Sequence, residues 1–415
     1  MDAPTPPVRR ETSTREIVAL LAAFMAINAF ALDAMLPALP AIGDDLGALV
    51  DNQRQWVIVA YTFGFGFSQM LWGPLADRFG RKPVMAWGVA LYFLFAMACA
   101  LARDFDVLVA SRFMMGAAGA VSRVLVIAIV RDLFEKEEMA RVMSLTFMVF
   151  MVVPVIAPTV GIAILQVGSW RWIFAFLGLW GLFVLLWGQV RLPETLHPEW
   201  RRALDAGAIW RASKRAMKDR LSMGYTLALT FVFSVLIGYL ASIQQILGQV
   251  FERPEALGWV FAAIAAPMGV ASWGNSRIVT RFGLRRVGHT GILVFAVSSV
   301  AHLGWHVAFG STLTSFIAFM AVTLTAFAFS AANFGTLAMT NMAPIAGTAS
   351  SVQGTIGTIG GASIGALIGQ AYDGSVLPFI AASAACGMVA LAIVLVTERG
   401  RLFHTPPEEQ DEASA

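Results

Sequence analysis

Long apolar runs divide this chain almost from end to end. Twelve stretches, approximately 17–39, 54–74, 83–102, 107–130, 140–167, 171–190, 222–248, 256–276, 287–309, 312–337, 347–371 and 376–397, are long and apolar enough to read as bilayer-crossing helices. A crossing takes about 20 such residues. The chain is 58% hydrophobic and 13% charged, whereas a soluble domain carries about 25% charge. The expected fold is therefore an all-α membrane protein of twelve transmembrane helices. One long polar stretch, 193–221, separates two sets of six. The expected organisation is a tail 1–16, a six-helix bundle 17–192, a central loop 193–221, a second bundle 222–397 and a tail 398–415. The polar tail before the first run has no small-residue cleavage site, so the first run is read as a retained helix rather than a leader.

Loop charge sets the sidedness. Of the 29 Lys and Arg, only Arg54, Arg103, Arg171 and Arg253 fall in the loops of one side, and Arg112 and Arg123 lie inside a span. The rest lie at the other side, which the positive-inside rule makes cytoplasmic, with both termini there. Trp56, Trp170, Trp172 and Trp259 fall near the outer ends, where an aromatic belt would place them. The basic balance of +3 is thus explained by topology and does not call for nucleic acid. Cys99 and Cys386 both sit in apolar runs and signal neither a disulfide framework nor a metal site.

The repeat is also visible in the loops. Gly73-Pro-Leu-Ala-Asp-Arg-Phe-Gly-Arg-Lys82 follows the second span, and Ser276-Arg-Ile-Val-Thr-Arg-Phe-Gly-Leu-Arg285 follows the eighth. Two halves with corresponding basic loops are the mark of a transporter built by duplication. Gly73, Asp77, Arg78, Gly80 and Arg81 form a tight inner corner. It reads either as a charge latch between conformations or as a basic loop that only sets orientation. The second copy has Thr280 in the place of Asp77, so a latch would be stronger in the first half.

Within the spans, Asp33 is the one acidic residue. A carboxylate in hydrocarbon costs about 2.5–3.5 kcal/mol on insertion, so such a residue marks a functional site by default. The plainer reading is a helix-end cap facing interfacial water. Arg112 lies six residues from the outer end of its span, ~9 Å deep, and Asp33 about seven residues below Pro40, ~10 Å deep. If the two face each other, a carboxylate held between a cation and the cost of leaving water can change protonation as a cavity opens to either side. A permanent structural ion pair is the alternative. Gly116 and Gly119 on the same span would admit a neighbouring helix. Arg123, near the inner side, would snorkel or meet a helix end.

Pro154, Pro158 and Gly161 weaken one face of the fifth span, as a flexing gate or as a static kink. The glycine-rich eleventh span would suit close packing against the fifth or another moving partner. Asn28, Tyr61, Tyr239, Gln244 and Gln245 are candidate cavity residues, with interhelical hydrogen bonding as their simpler role. His302 and His306 share a helix face but have no acidic or cysteine neighbour, so no metal is expected. The sequence contains no phosphate loop, nucleophile elbow or catalytic triad pattern, and no enzyme is expected.

At these residues the chain resembles the major facilitator superfamily, within it the drug:proton antiporters, and most the bicyclomycin/chloramphenicol-resistance (Bcr/CflA) branch. The resemblance rests on Asp33 before Leu36-Pro-Ala-Leu-Pro40, the loop Gly73 to Lys82, and Arg112 with Gly116. It continues through Ala128-Ile-Val-Arg-Asp-Leu-Phe134, Ala140-Arg141, Pro154 to Gly161, and Trp170-Arg-Trp-Ile-Phe174. Met115 stands where Gln is usual, Ala157-Pro158 replaces Gly-Pro, and Ile162 replaces a second glycine. The resemblance implies two pseudo-symmetric six-helix bundles and efflux of small, largely apolar antibiotics by alternating access. It implies Asp33 as proton carrier, Arg112 coupled to it, the proton gradient in place of any cofactor, and a monomer in the bacterial inner membrane. Uptake of an endogenous metabolite is the alternative within transport, and a non-transporting membrane sensor the alternative outside it.

Overall fold

In a computed structural model the described residues are 13–404, except 49, 135, 198, 200–205 and 343–344. Every regular element among them is helical. The parts of the expected tails and central loop at 1–12, 200–205 and 405–415 lie outside the described residues. The two ends of the helices are called inner and outer after the sidedness that the loop charges predict.

Helix α1 (Thr14–Asp33) begins at an N-cap, where Ser13 accepts the Glu16 N–H at 3.3 Å. It stops at Asp33, gives way to a 3₁₀ turn at Leu36–Ala38, and resumes as α2 (Leu39–Leu46). The continuous helix expected over 17–39 is therefore broken. Pro37 and Pro40 supply the reason, since each sits in the first turn of a new helical segment and has no N–H to donate to the preceding one. Then come α3 (Trp56–Phe79), α4 (Arg81–Leu101), α5 (Phe105–Leu133), α6 (Lys136–Val167) and α7 (Arg171–Arg191). The central stretch, expected as a loop, contains α8 (Ala206–Lys218). Helix α9 (Arg220–Gln245) starts at the Asp219 cap and ends in a π turn at Ile246–Val250. Finally come α10 (Leu257–Phe282), α11 (Leu284–Phe309), α12 (Leu313–Leu337), α13 (Ala346–Gln370) and α14 (Leu377–Thr397).

Among the described residues nine segments are long and apolar enough to cross a membrane by length and composition. Helices α3 and α13 are diluted by glycine and by polar residues such as Gln69 and Gln353.

The packing repeats. Helix α1 packs on α5, α6 and α7; α3 packs on α4 and α5; α4 also packs on α5 and α7. In the same pattern α9 packs on α12, α13 and α14, α10 on α11 and α12, and α11 also on α12 and α14. Between the sets, α3 lies on α13 and α6 on α10. Glycine permits the closest of these approaches. A Cβ at Gly64 would lie 1.8 Å from the Phe113 carbonyl oxygen, and one at Gly116 would lie 2.0 Å from that of Tyr61. Helix α13 does not use its glycines against α6. It uses them against α9 and α3, with Gly361 on Phe233, Gly365 on Ile237 and Gly354 on Gln69. Trp170, expected in an interfacial belt, is buried, and its ring N–H donates to Asp45 at 3.0 Å. Trp56, Trp172 and Trp259 are exposed.

Candidate functional site

The break after α1 places Asp33 where three helices meet. Its carboxyl group is 4% exposed, and Oδ1 has no hydrogen-bond partner. Helix α6 touches the break directly, since a Cβ at Gly161 would lie 1.9 Å from the Ala34 carbonyl oxygen and 2.9 Å from Pro37. Pro158, one turn earlier on α6, is buried. Pro154 lies in the same helix, but its side chain falls outside the described ones. On the far side, α9 packs on the 36–38 turn and brings Tyr239 within electrostatic reach of Asp33. The Tyr239 hydroxyl is buried and also lacks a hydrogen-bond partner. The acid and the phenol thus come from opposite sets of helices and meet in a dry place.

Arg112 is not the direct neighbour of that carboxylate. Among the described residues no ion pair joins the two. The guanidinium is fully buried and is consumed by main-chain oxygens: Nε donates to Val57 at 2.9 Å and Nη2 to Ala31 at 3.0 Å. Its Nη1 faces Met115 Sδ at 3.6 Å, and its Cζ lies 4.5 Å from the Tyr61 ring centroid. The Ala31 contact ties it to the last turn of α1, two residues before Asp33. Arg112 therefore fixes the stretch of main chain that carries the acid, and the connection runs through peptide groups.

Two of the expected cavity residues join this support. The Tyr61 hydroxyl donates to Asn28 Oδ1 at 2.7 Å, and Asn28 Nδ2 donates to Ser122 at 2.7 Å and to the Gly119 carbonyl at 3.2 Å. Asn28 and Tyr61 are 4% and 1% exposed. They act here as interhelical hydrogen bonds among α1, α3 and α5. Gly119 leaves the room they need, as a Cβ there would lie 2.7 Å from the Tyr61 hydroxyl. Arg123 rests over the Phe65 ring at 5.9 Å.

Gln245 belongs to a different group. At the outer end, Gln55 Nε2 donates to Gln245 Oε1 at 2.6 Å and to the Gly369 carbonyl at 2.9 Å. Gln245 donates to Asn52 Oδ1 at 3.0 Å, and Gln370 donates to the Asn52 carbonyl at 2.7 Å. These amides stitch the turn before α3 to the ends of α9 and α13. Gln244 is half-buried beside Gly248 and is not part of the stitch. Sequence reading missed Asn52, Gln55 and Gln370, because amides at the ends of apolar runs read as ordinary loop polarity.

At the inner end the 73–82 corner is a charge cluster centred on Arg81. Its Nη1 meets Asp77 at 2.6 Å and its Nε meets Asp132 at 3.1 Å. Glu194, beyond α7, accepts the Arg81 and Lys82 main-chain N–H groups at 2.9 and 3.2 Å, at the free N-terminus of α4. Gly80 has φ 106°, which closes the corner. Arg78 is exposed over Phe79, and Gly73 faces Ser351 of α13. The described bonds of this cluster all lie among α3, α4, α5 and the segment after α7. Asp132 and Glu194 were absent from the sequence-based site, although both are acids beside span ends.

His302 stacks on Phe319 at 4.8 Å, and His306 Nδ1 meets Ser311 at 2.7 Å. The two share no cluster of metal ligands among the described residues.

Comparison with known proteins agrees with this architecture. The family model for the Major Facilitator Superfamily matches residues 19–366. The chain is 28% identical over 402 residues to a "Bicyclomycin resistance protein homolog" of Haemophilus influenzae, covering 94% of this chain and 98% of that one. It is 29% identical over 348 residues to the "Uncharacterized MFS-type transporter YdgK" of Bacillus subtilis, covering 81% and 84%. It is 29% identical over 226 residues to "Multidrug resistance protein MdtL" of Escherichia coli O157:H7, covering 54% and 56%. The solved structure of the human organic anion transporter MFSD10 (TETRAN) superimposes with a TM-score of 0.66 over 95% of this chain and 99% of its own, at 20% identity, a likeness of fold. With its apolar helices, the chain is a multi-pass membrane transporter and not an enzyme, and it belongs to the major facilitator superfamily.

Proposed function

We propose that this protein exports small, largely apolar drugs in exchange for protons, by alternating access, in the bacterial inner membrane. The observation that carries the reading is Asp33: the most buried carboxylic acid among the described residues, set at a helix break between the two sets of helices. The names of the Haemophilus influenzae and Escherichia coli relatives support the substrate class. In this reading twelve spans form two pseudo-symmetric bundles, 17–192 and 222–397, joined by 193–221, with both termini cytoplasmic. The repeated packing pattern supports it. The protein works as a monomer and needs no cofactor beyond the proton gradient.

Asp33 takes a proton while the site is open outward, which removes the charge from a dry site and favours substrate release. After reorientation it returns the proton inward as substrate binds. Gly161 and Tyr239 report the carboxyl group's state to α6 and α9, since both lie against the break. The amide stitch at Gln55 and Gln245 holds the outer end shut in the state described and must open once per cycle. One pH unit supplies about 1.36 kcal/mol per proton. A potential of 100 mV adds about 2.3 kcal/mol per net charge moved.

The test uses inverted vesicles with an imposed pH gradient and a dye that follows protons. Phenicols, bicyclomycin-like compounds, fluoroquinolones and lipophilic cations are added in turn to wild type and to Asp33→Asn. A substrate-evoked proton flux present in wild type and lost in the variant is the expected result. A flux that survives Asp33→Asn removes Asp33 as carrier. No flux with any compound removes the drug assignment and moves metabolite uptake to first place.

A further inference from the structure

The basic segment 206–220 is unused by the transport reading, and its folding gives it a surface of its own. At about 3.6 residues per turn, Arg211, Lys214, Arg215 and Lys218 fall on one face of α8, and all four are exposed. Ser213 and Ala216 fall on the opposite face and are buried. Ala216 packs with Met342 and Ala349, which anchors α8 at the junction of α12 and α13. The basic face and that junction enclose a hollow of about 500 Å³, lined by the four cations, Asp219, Asn341 and Met342. Asp219 does not offset the cations. Its Oδ1 accepts the Ser222 N–H at 2.7 Å and its Oδ2 accepts Asn341 Nδ2 at 2.9 Å. Lys214, Arg215 and Lys218 form no ion pair among the described residues. Trp210 and Met217, two turns apart on one flank, are 65% and 40% exposed.

A cationic face, an apolar flank with tryptophan, and a position level with the starts of α9 and α13 fit one surface. We propose that α8 lies in the inner membrane interface and that its hollow binds the phosphate headgroup of an anionic phospholipid, with Trp210 and Met217 among the acyl chains. Each cation near an anionic surface contributes on the order of 1 kcal/mol, so four give a preference that a zwitterionic headgroup cannot match. The tryptophan end suits the boundary between headgroup and chain. This site does not depend on the transported substrate, so it stands or falls separately from drug export.

The test measures lipid binding to purified, delipidated full-length protein in neutral detergent, by native mass spectrometry and by the shift in thermal midpoint. The probes are phosphatidylglycerol, cardiolipin, phosphatidylcholine and inorganic phosphate. Wild type is expected to bind the two anionic lipids at least tenfold more tightly than phosphatidylcholine. The fourfold variant Arg211→Gln, Lys214→Gln, Arg215→Gln, Lys218→Gln is expected to lose that preference. Arg281→Gln with Arg286→Gln and Arg401→Gln, which removes inner-side charge elsewhere, is expected to keep it. Salt at 0.5 M is expected to weaken the wild-type preference, because exposed charges are screened; this arm needs no variant to fold. The proposal is overturned if the fourfold variant binds as wild type does, if the preference ignores salt, or if inorganic phosphate stabilises the protein as well as lipid does.

Discussion

The inner corners after α3 and α10 share Arg-Phe-Gly and a glycine of positive φ, 106° at Gly80 and 81° at Gly283. Their charges are arranged differently. In the first, Arg81 sits between Asp77 and Asp132, and Glu194 holds the start of α4. In the second, Leu284 stands in the place of Arg81, and Thr280 turns back to the Arg277 carbonyl at 2.8 Å. The charge moves one residue on, to Arg285, which pairs with Glu398 at 3.4 Å. Glu398 also accepts the Tyr225 hydroxyl, Tyr225 meets His289 Nε2 at 3.0 Å, and His289 Nδ1 accepts the Phe403 N–H at 3.0 Å. The duplicated turn is thus kept because glycine must be there. What closes it is local in each half: packed neighbouring helices in one, the C-terminal segment in the other. Glu194 and Glu398 occupy matching places, just beyond the last helix of each set.

The largest test of this contrast is Arg81→Met beside Arg285→Met. Removing one partner of a buried charge group costs about 3–5 kcal/mol. Arg81→Met leaves Asp77 and Asp132 facing each other and is expected near the top of that range. Arg285→Met strands one acid and is expected near the bottom, about 3 kcal/mol. Thermal unfolding in detergent reads both, and equal losses would break the comparison.

Next come the close approaches. Gly116→Ala drives a methyl group into the Tyr61 main chain and is expected to cost about 1–3 kcal/mol, as overpacking does. Gly361→Ala meets the edge of the Phe233 ring, 2.6 Å from Cδ1, and a side chain turns aside more readily than a peptide. It is expected to unfold later on heating than Gly116→Ala. Were Gly361→Ala the more damaging, the view that the first half is the more tightly fixed would fail.

Smaller still is Glu194→Gln, which removes a carboxylate from a helix N-terminus, worth about 0.3–1 kcal/mol when exposed and up to about 2 when partly buried. Amide exchange over 81–84 is expected to quicken while that of the corresponding 284–287 does not. The smallest stability effect is expected of His289→Phe, which keeps the aromatic contacts and removes the acceptor for the Phe403 N–H. Exchange is expected to quicken over 398–404 alone, and spread into α4 or α5 would contradict the separation of the two corners.

The spans, the duplicated corner and the close approach at Gly116 and Gly119 were legible in the sequence, because each derives from length, repetition or residue size. The partner of Arg112 was not. Helix rise fixes depth to an ångström or two, but azimuth depends on packing, and equal depth says nothing of facing. Arg112 and Asp33 sit at similar levels, yet the arginine turns to the Val57 and Ala31 carbonyls. The break at Asp33 was hidden for a related reason. Proline is tolerated in spans, so Pro37 and Pro40 did not distinguish a kink from an end. The partners of α13 were misjudged because glycine marks a close approach without naming the helix that makes it.

The placement of the two closing acids has a consequence for how the protein is made. Synthesis runs from the N-terminus, and N-terminal parts fold first. Glu194 emerges before any of the second half exists, so the first corner can assemble while translation continues. Glu398 and Phe403 are among the last described residues. Arg285, Tyr225 and His289 must therefore wait, in the membrane and without their final partners, until the ribosome has nearly finished. The first half is born complete, and the second is sealed at chain termination.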